Sequence, residues 1–153
     1  MSLRVGTGYD AHRLAEGERL VLGGVELTHD RGLTGHSDAD VVTHAVIDAI
    51  LGAAGLGDLG THFPPDDERW RDADSLDLLR TVLGQRHGSV VNVDATVICE
   101  EPRIAPHRPE MERLLSETLG APVSVKATTN EGMGWIGRGE GIACVATAMV
   151  DVG

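Results

Sequence analysis

A helix predicted from Ser37 to about Ala54 sets the strictest limit on how this chain folds. Its apolar residues cover one broad face and much of the opposite side. Ser37 is the predicted N-cap, and Asp40 stands three residues later, where a capping box usually has Glu or Gln. A helix that is apolar nearly all round is buried, so other elements must cover most of its surface.

Polar residues in and before this helix form a candidate metal site. Asp40, His44 and Asp48 follow one flank of the helix at a spacing of four residues. Asp10 and His12 follow a strand predicted at Arg4 to Tyr9, and in extended backbone both would point to the same face. Asp10, His12 and His44 offer one carboxylate and two imidazoles, which suit Zn²⁺ and leave its fourth position open, as in catalytic sites.

The alternative is that Asp10 caps a turn and His44 is a hydrogen-bonded core histidine. Spacing alone does not bring the two segments together.

The remaining elements predict an α+β fold. A hairpin or a bent strand is expected at Leu20 to Leu27, and a helix from Asp74 or Ser75 to about Arg86. Further predictions are a strand at Val90 to Glu100, a helix at Pro106 to Leu119 ended by Gly120, and strands at Val123 to Ala127 and Ile142 to Val152. Strands and helices alternate only partly. We therefore expect one domain over residues 1–153, with a mixed, mostly four-stranded sheet and helices packed on one face.

Charge and cysteine content narrow the classes of function. The net charge of −11 offers no basic surface for nucleic acid. This negative charge is compatible with the binding of a phosphorylated small molecule, because bound divalent cations make the local charge positive. Cys99 and Cys144 lie in apolar runs and form no CxxC pair, which indicates reduced core thiols and a cytoplasmic protein. No apolar run reaches the roughly 18 residues of a membrane span.

Two segments are candidate phosphate sites. His36 and Ser37 precede the first helix, where free backbone amides attract anions; simple capping by Ser37 is the alternative. Thr128 to Glu131 end a strand and could hold a diphosphate with Mg²⁺, or could be an ordinary turn. Arg138, in the following glycine-rich loop, suits phosphate but could equally pair with Glu140.

Five motifs in order resemble one enzyme family, the 2-C-methyl-D-erythritol 2,4-cyclodiphosphate synthases. They are Gly8–His12, Leu33–Asp40, Gly57–Gly60, Lys126–Thr129 and Gly137–Ala143. The resemblance extends from about Arg4 to Val150. It implies a phosphorus-oxygen lyase of the non-mevalonate route to isoprenoid precursors. Its substrate would be 4-diphosphocytidyl-2-C-methyl-D-erythritol 2-phosphate, which cyclises by metal-assisted intramolecular phosphoryl transfer and releases CMP.

The resemblance also implies an assembly, two metals and two catalytic residues. The assembly would be a homotrimer with active sites between subunits. Asp10, His12 and His44 would hold Zn²⁺ or another divalent transition metal, and Glu131 would hold Mg²⁺ or Mn²⁺ on the diphosphate. His36 and Thr129 would stabilise the transition state.

Substrate contacts are implied by matching position. Phosphate and metal-side contacts would come from Asp10, His12, His36, Ser37, Thr129, Asn130 and Glu131. The ribose and methylerythritol side would be lined by Asp58, Leu59, Gly60, Phe63, Pro64, Pro65, Asp66 and Asp67. The cytidine pocket would comprise Cys99, Glu100, Glu101, Pro102, Arg103, Ile104, Ala105, Ala127 and Thr128. Trp135 and Arg138 would face a central trimer cavity, where an isoprenoid diphosphate would bind.

The chain departs from the family pattern in these regions. Arg103 stands where Lys is common, Ile104 and Ala105 replace bulkier residues, Asn130 replaces Thr, and Trp135 replaces Phe.

Two other functions use the same residues. A metal-dependent hydrolase would cleave a nucleotide diphosphate with water and release a linear product. A non-catalytic trimer with structural zinc would only bind isoprenoid diphosphates, although structural zinc favours four protein ligands.

Overall fold

A computed structural model describes residues 1–85 and 88–153. The strands are β1 (Leu3–Glu16), β2 (Leu20–Leu22), β3 (Val25–Leu27), β4 (Arg31–Leu33), β5 (Ser89–Ile98), β6 (Val123–Thr128) and β7 (Gly141–Asp151). The helices are α1 (Val41–Ala54), α2 (Leu59–His62), α3 (Ser75–Gly84), α4 (Arg108–Leu119) and α5 (Gly134–Gly137). Single 3₁₀ turns occur at Glu68–Trp70 and Ala105–His107.

The main sheet has five strands in the order β4-β1-β7-β5-β6. β5 and β6 are parallel, and the other pairs are antiparallel. The predicted mixed sheet is therefore confirmed, but four strands was one too few. β4 was not predicted, because a segment of three residues is too short to show an alternating pattern. β2 and β3 form the predicted hairpin as a separate two-stranded sheet.

β1 is more than twice as long as predicted. The expected turn after Tyr9 is absent, and the strand continues through Asp10 and His12 to Glu16. The pairing with β7 explains the continuation, since Asp10 lies opposite Cys144 and His12 opposite Ile142. The even-numbered side chains of β1 share the face covered by the helices, so Asp10 and His12 point the same way, as expected.

α1 lies across that face against β1, β7 and β5. A Cβ added at Gly8 would lie 1.9 Å from the carbonyl oxygen of Ala45, so the helix backbone nearly touches the strand. Eleven of the fourteen residues of α1 are buried, which confirms that the helix is covered nearly all round.

The start of α1 was predicted three residues too early. Asp40, not Ser37, is the N-cap: its Oδ1 accepts from the backbone N–H of Val42 and Thr43 at 3.1 and 3.0 Å. Ala39 has a φ of +56°, which interrupts helical geometry between the two candidates. The Asp40 carboxylate also accepts from Gly23 N and Gly24 N, each at 2.8 Å, and so fixes the β2–β3 hairpin to the helix.

The other helices complete the layer. α3 packs against α1 and α4, and α4 against β6. Asp74 caps α3 as predicted, but the predicted end near Arg86 lies outside the described residues. Gly120 ends α4 in the left-handed conformation, also as predicted. The opposite face of the sheet carries exposed apolar side chains, including Val5 and Tyr9 at 62% and 56% exposure.

Among residues 1–85 and 88–153, no helix has the length and apolar composition needed to span a membrane.

Candidate active site

The three predicted metal ligands converge where β1 passes the first turns of α1. One ligand atom from each of Asp10, His12 and His44 lies within 4.8 Å of the others. His44 Nδ1 lies 3.1 Å and His12 Nε2 3.0 Å from the same carboxylate oxygen, Asp10 Oδ2. Spacing alone left open whether these side chains meet; the resemblance implied that they do, and the structure confirms it.

The donor set fits a divalent metal. His12 Nδ1 lies 2.9 Å from the carbonyl oxygen of Thr34, and since a carbonyl only accepts, the ring proton is on Nδ1. His12 Nε2 is buried and, although it lies 3.0 Å from Asp10 Oδ2, its contact lacks the geometry of a hydrogen bond, so its lone pair is left for a ligand. No fourth His, Cys, Asp or Glu joins the group in the part of the chain that the structure describes. Three protein ligands match the open coordination of a catalytic zinc site and not the closed shell of a structural one.

The electrostatics keep the cluster charged. Burial raises the pKa of Asp10, but the imidazoles of His12 and His44 outweigh it and lower that pKa to about 2. Burial lowers the pKa of His44, but Asp10, with the charges of Asp40 and Asp38, outweighs it and raises that pKa above 6.5. Without metal, the imidazolium of His44 is thus the partner of the Asp10 carboxylate.

A cavity of about 200 Å³ opens beside these ligands. His36 and Ser37 lie on its wall, and His36 Nε2–H donates to the carbonyl of Asp67 at 2.8 Å. Of the residues predicted to line the ribose and methylerythritol side, Leu59, Gly60, Phe63 and Pro65 contribute to the wall.

The four other residues predicted for that side, Asp58, Pro64, Asp66 and Asp67, are not part of the cavity wall. Asp58 instead caps α2, with its Oδ1 accepting from Thr61 N at 2.9 Å. The Asp67 carboxylate pairs with the Arg69 guanidinium at 2.6 Å. These local bonds lower the pKa of both carboxyl groups.

Two wall residues, Trp70 and Leu78, were missed from the sequence. Trp70 packs edge-on against Phe63, with ring centroids 4.9 Å apart, and its indole N–H is buried without a partner. For Trp70, the only signal in the sequence was its position as an aromatic residue seven places after Phe63, because contacts between loop residues leave no periodic pattern.

The predicted nucleotide pocket forms a separate cavity of about 160 Å³. It is lined by Cys99, Glu100, Pro102, Arg103, Ile104, Ala105, Ala127, Thr128 and Thr129. Glu101, also predicted for this pocket, lies on a neighbouring cavity with Thr129 and Arg138. The structure therefore groups eight of the nine residues predicted for this pocket, together with Thr129.

Glu100 holds the loop that follows β6. Its carboxylate accepts from Asn130 N at 2.9 Å and from Gly132 N at 2.8 Å. Between these anchors, Glu131 is exposed and has a φ of +54°, a conformation that costs a non-glycine residue about 1 kcal/mol or more. A carboxylate kept in strained backbone is typical of a functional position.

The last two predicted residues lie around these cavities. Arg138 pairs with Glu140 at 2.6 Å, which was the alternative considered for it. Trp135 shares a further cavity with His12 and Glu140.

The cavity beside Asp10, His12 and His44 and the predicted nucleotide pocket share no wall residue. Among the described residues, His36 lies on the first and Thr129 on the second.

Comparisons with known proteins agree with this geometry. A model of the YgbB family matches residues 3–151. The 2-C-methyl-D-erythritol 2,4-cyclodiphosphate synthase of Salinibacter ruber is 55% identical, over 97% of this chain and 98% of its own length.

Two solved structures have the same fold. Bifunctional IspDF from Campylobacter jejuni matches with a TM-score of 0.94 and 35% identity over 99% of this chain, which spans only 43% of that protein. A CDP complex of IspF from Plasmodium falciparum matches with a TM-score of 0.83 and 33% identity, over 97% of this chain and 96% of its own. The chain belongs to the YgbB family, that of the 2-C-methyl-D-erythritol 2,4-cyclodiphosphate synthases.

Proposed function

We infer that this chain converts 4-diphosphocytidyl-2-C-methyl-D-erythritol 2-phosphate to 2-C-methyl-D-erythritol 2,4-cyclodiphosphate and CMP. The observation that carries this inference is the three-ligand cluster beside an open cavity, in a chain of this family. The activity is that of a phosphorus-oxygen lyase in isoprenoid precursor synthesis.

The reaction closes a ring within one substrate molecule. An oxygen of the 2-phosphate attacks the β-phosphorus, the bond from that phosphorus to the bridging oxygen breaks, and the bridging oxygen leaves with CMP. The attacking phosphate has a second pKa near ~6 and is largely dianionic at neutral pH, so no general base is required. The protein must therefore fold a flexible substrate into line, and orientation of this kind can supply roughly 7–11 kcal/mol of the barrier.

We assign the metals to two groups of residues. Asp10, His12 and His44 would hold Zn²⁺ or a similar transition metal, and Glu131 would hold Mg²⁺ or Mn²⁺. Bound there, such cations act as Lewis acids that neutralise charge on the diphosphate. The orphaned Nε2 of His12 and the strained backbone of Glu131 support these two assignments.

The remaining residues would bind and orient the substrate. His36 and Ser37, on the wall beside the metal ligands, would contact phosphate oxygens, and Leu59, Gly60 and Phe63 would cover the methylerythritol side. The cavity from Cys99 to Ala105 would take the cytidine; the relative solved with CDP supports a nucleotide ligand. Thr129 would steady the transferred phosphate.

We also propose that the active enzyme is a homotrimer with each site between two subunits. In one chain His36 and Thr129 lie on separate cavities, although both are assigned to the same phosphates. A second copy that places its nucleotide pocket against the metal cluster would complete the site. The exposed apolar face of the sheet offers a surface for this assembly, with Trp135 and Arg138 toward a central cavity for an isoprenoid diphosphate. The reduced cysteines support a cytoplasmic location.

Phosphorus NMR of the purified protein with substrate, Zn²⁺ and Mg²⁺ tests the function. We expect two coupled cyclic-diphosphate resonances to appear in step with one equivalent of CMP, and a chelator to abolish both. A linear phosphate product, with ¹⁸O from labelled water incorporated, would instead identify the hydrolase. Absence of turnover in metal-loaded protein would favour the binding protein.

A further inference from the structure

Two serine hydroxyl groups contact His44 on the side of its ring that faces away from Asp10. His44 Nε2 lies 2.8 Å from Ser75 Oγ and 3.1 Å from Ser37 Oγ. His44 is 5% exposed and Ser75 is fully buried, so water does not compete for the contact between them. Ser75 is the first residue of α3, more than thirty positions away along the chain.

Ser75 is itself held by Asp38. Its hydroxyl is in close contact with Asp38 Oδ1, and its backbone N–H donates to Asp38 Oδ2 at 2.9 Å. Asp38 Oδ1 also accepts from the backbone N–H of Asp40 at 3.2 Å, which ties the carboxylate to the start of α1. The carboxylate therefore has a fixed position relative to both helices.

This arrangement determines which nitrogen of His44 carries the proton. A serine hydroxyl has one hydrogen, and an aspartate carboxylate can only accept, so the Ser75 proton is directed at Asp38. Ser75 Oγ can then only accept from His44, which requires a proton on Nε2. A neutral His44 in this tautomer has its free lone pair on Nδ1, the atom 3.1 Å from Asp10 Oδ2.

We propose that Asp38 and Ser75 are positioning residues for the metal, which hold His44 in the Nε2–H tautomer and aim Nδ1 at the ion. This rests on the metal site of the proposed function. Neither residue lines the cavity beside the three ligands, so neither contacts the substrate there directly. Mutation of residues that hydrogen-bond to ligating histidines typically lowers metal affinity 10- to 100-fold.

A purely structural role for Ser75 makes a different prediction. If the hydroxyl only secured the start of α3, any loss of a bond at that helix end would have the same effect. Asp74 provides the comparison, because its Oδ1 caps α3 through Leu76 N at 2.8 Å without contacting His44. Asp74→Ala is therefore the matched control for Ser75→Ala.

The experiment measures Zn²⁺ affinity by chelator competition for the full-length wild type, Ser75→Ala, Asp38→Asn and Asp74→Ala. We expect affinity to fall roughly 10- to 100-fold for the first two variants and to stay within about twofold for Asp74→Ala. Because the Ser75 variant loses metal and no substrate contact, excess Zn²⁺ should restore its turnover. ¹⁵N NMR of histidine-labelled, zinc-loaded wild type should show the His44 proton on Nε2, a result that does not depend on any variant folding.

Unchanged affinity in Ser75→Ala, an equal loss in Asp74→Ala, or a proton on Nδ1 would each overturn the proposal. If the wild type binds zinc and turns over while Ser75→Ala matches it, the proposal fails and the proposed function stands. If the wild type binds no zinc, both fail.

Discussion

Asp10 and His44 form a charged contact in the metal-free protein, and its contribution changes with pH. The raised pKa of His44 means that folding favours the imidazolium. Stability from this group is therefore fully present below its unfolded pKa of about 6.5 and is lost as the pH rises through the higher folded value. Metal binding has the opposite dependence, since a ligating imidazole must be neutral.

We expect the metal-free protein to lose stability as the pH rises from 6.5 toward 9, and the stabilisation by added Zn²⁺ to grow over the same range. Urea unfolding of chelator-treated and zinc-loaded protein at several pH values measures both. His44→Gln, which cannot titrate, should show a smaller pH dependence without metal. A metal-free stability that is flat between pH 6.5 and 9 would contradict the assignment of the imidazolium as partner of Asp10.

Glu131 is the residue whose removal should separate catalysis from folding. Its side chain is exposed, and its backbone strain remains in Glu131→Gln. We expect turnover with Mg²⁺ to fall on the order of 100-fold, the size of effect seen when one preorganised charge-stabilising group is removed. The urea midpoint should not change. If the variant misfolds or turns over normally, the assignment of Glu131 to the proposed second metal site is wrong.

At the scale of elements, the distance between α1 and β1 decides whether the metal ligands meet. Asp10 and His12 come from the strand and His44 from the helix, and Ala45, next to His44, lies against Gly8. A methyl group at Gly8 would collide with the helix backbone and force the two elements apart. The ligand geometry thus depends on a residue that carries no functional group.

We expect Gly8→Ala to lower the free energy of unfolding by about 3 kcal/mol or more, as overpacking against backbone does, and to weaken Zn²⁺ binding. Gly52→Ala is the control from the α1 side of the same helix–strand contact, because an added Cβ there comes no closer than 3.9 Å to β1. It should stabilise the protein by about 0.5–1 kcal/mol by favouring the helix. Chemical denaturation and chelator competition measure the two effects. If Gly8→Ala has the stability and affinity of the wild type, the close approach does not control the site.

Local chemistry explains which elements were predictable. Gly120 and Asp74 end and begin their helices through bonds made within a few residues, and both were identified. Ser37 was predicted as the N-cap because serine is a common capping residue. Asp40 is the N-cap instead, and its carboxylate is also held by Gly23 and Gly24, which are distant in sequence. β1 extends past Tyr9 for a similar reason, since β7 pairs with it along its length.

The same distinction applies to the site. Residue type and spacing identified Asp10, His12 and His44 as candidate ligands. Only the resemblance to the family implied that the three belong to one site. Trp70, Leu78 and Ser75 reach the site only through tertiary packing, so no local pattern marked them. Their contribution follows from the way α3 and the preceding loop close over α1.

At the scale of the whole molecule, the two faces of the sheet are unequal. One is covered by α1 and contributes to the core, whereas the other exposes apolar side chains of β1. Exposed apolar surface of this kind is typical of protein–protein interfaces, and the proposed trimer would bury it. A chain with a net charge of −11 would repel its copies, so burial of this face must outweigh that repulsion in an assembly.

We expect Val5→Lys to dissociate the proposed trimer, because the substitution places a charge on the exposed apolar face. Light scattering after size exclusion should show the mass fall from three times the 16.2 kDa chain mass toward that of a single chain. Turnover should be lost in parallel, since one chain alone keeps the metal ligands and the nucleotide pocket on separate cavities. Zinc affinity should persist, because all three ligands belong to one subunit.

Thr81→Lys adds the same charge on the exposed side of α3, where no assembly is proposed, and should leave mass and turnover unchanged. Comparison of the two variants therefore separates the effect of an added charge from the effect of its position on the surface. A wild type that is monomeric and fully active would refute the shared site. A Val5→Lys monomer with normal turnover would do the same, because each subunit would then hold a complete site of its own.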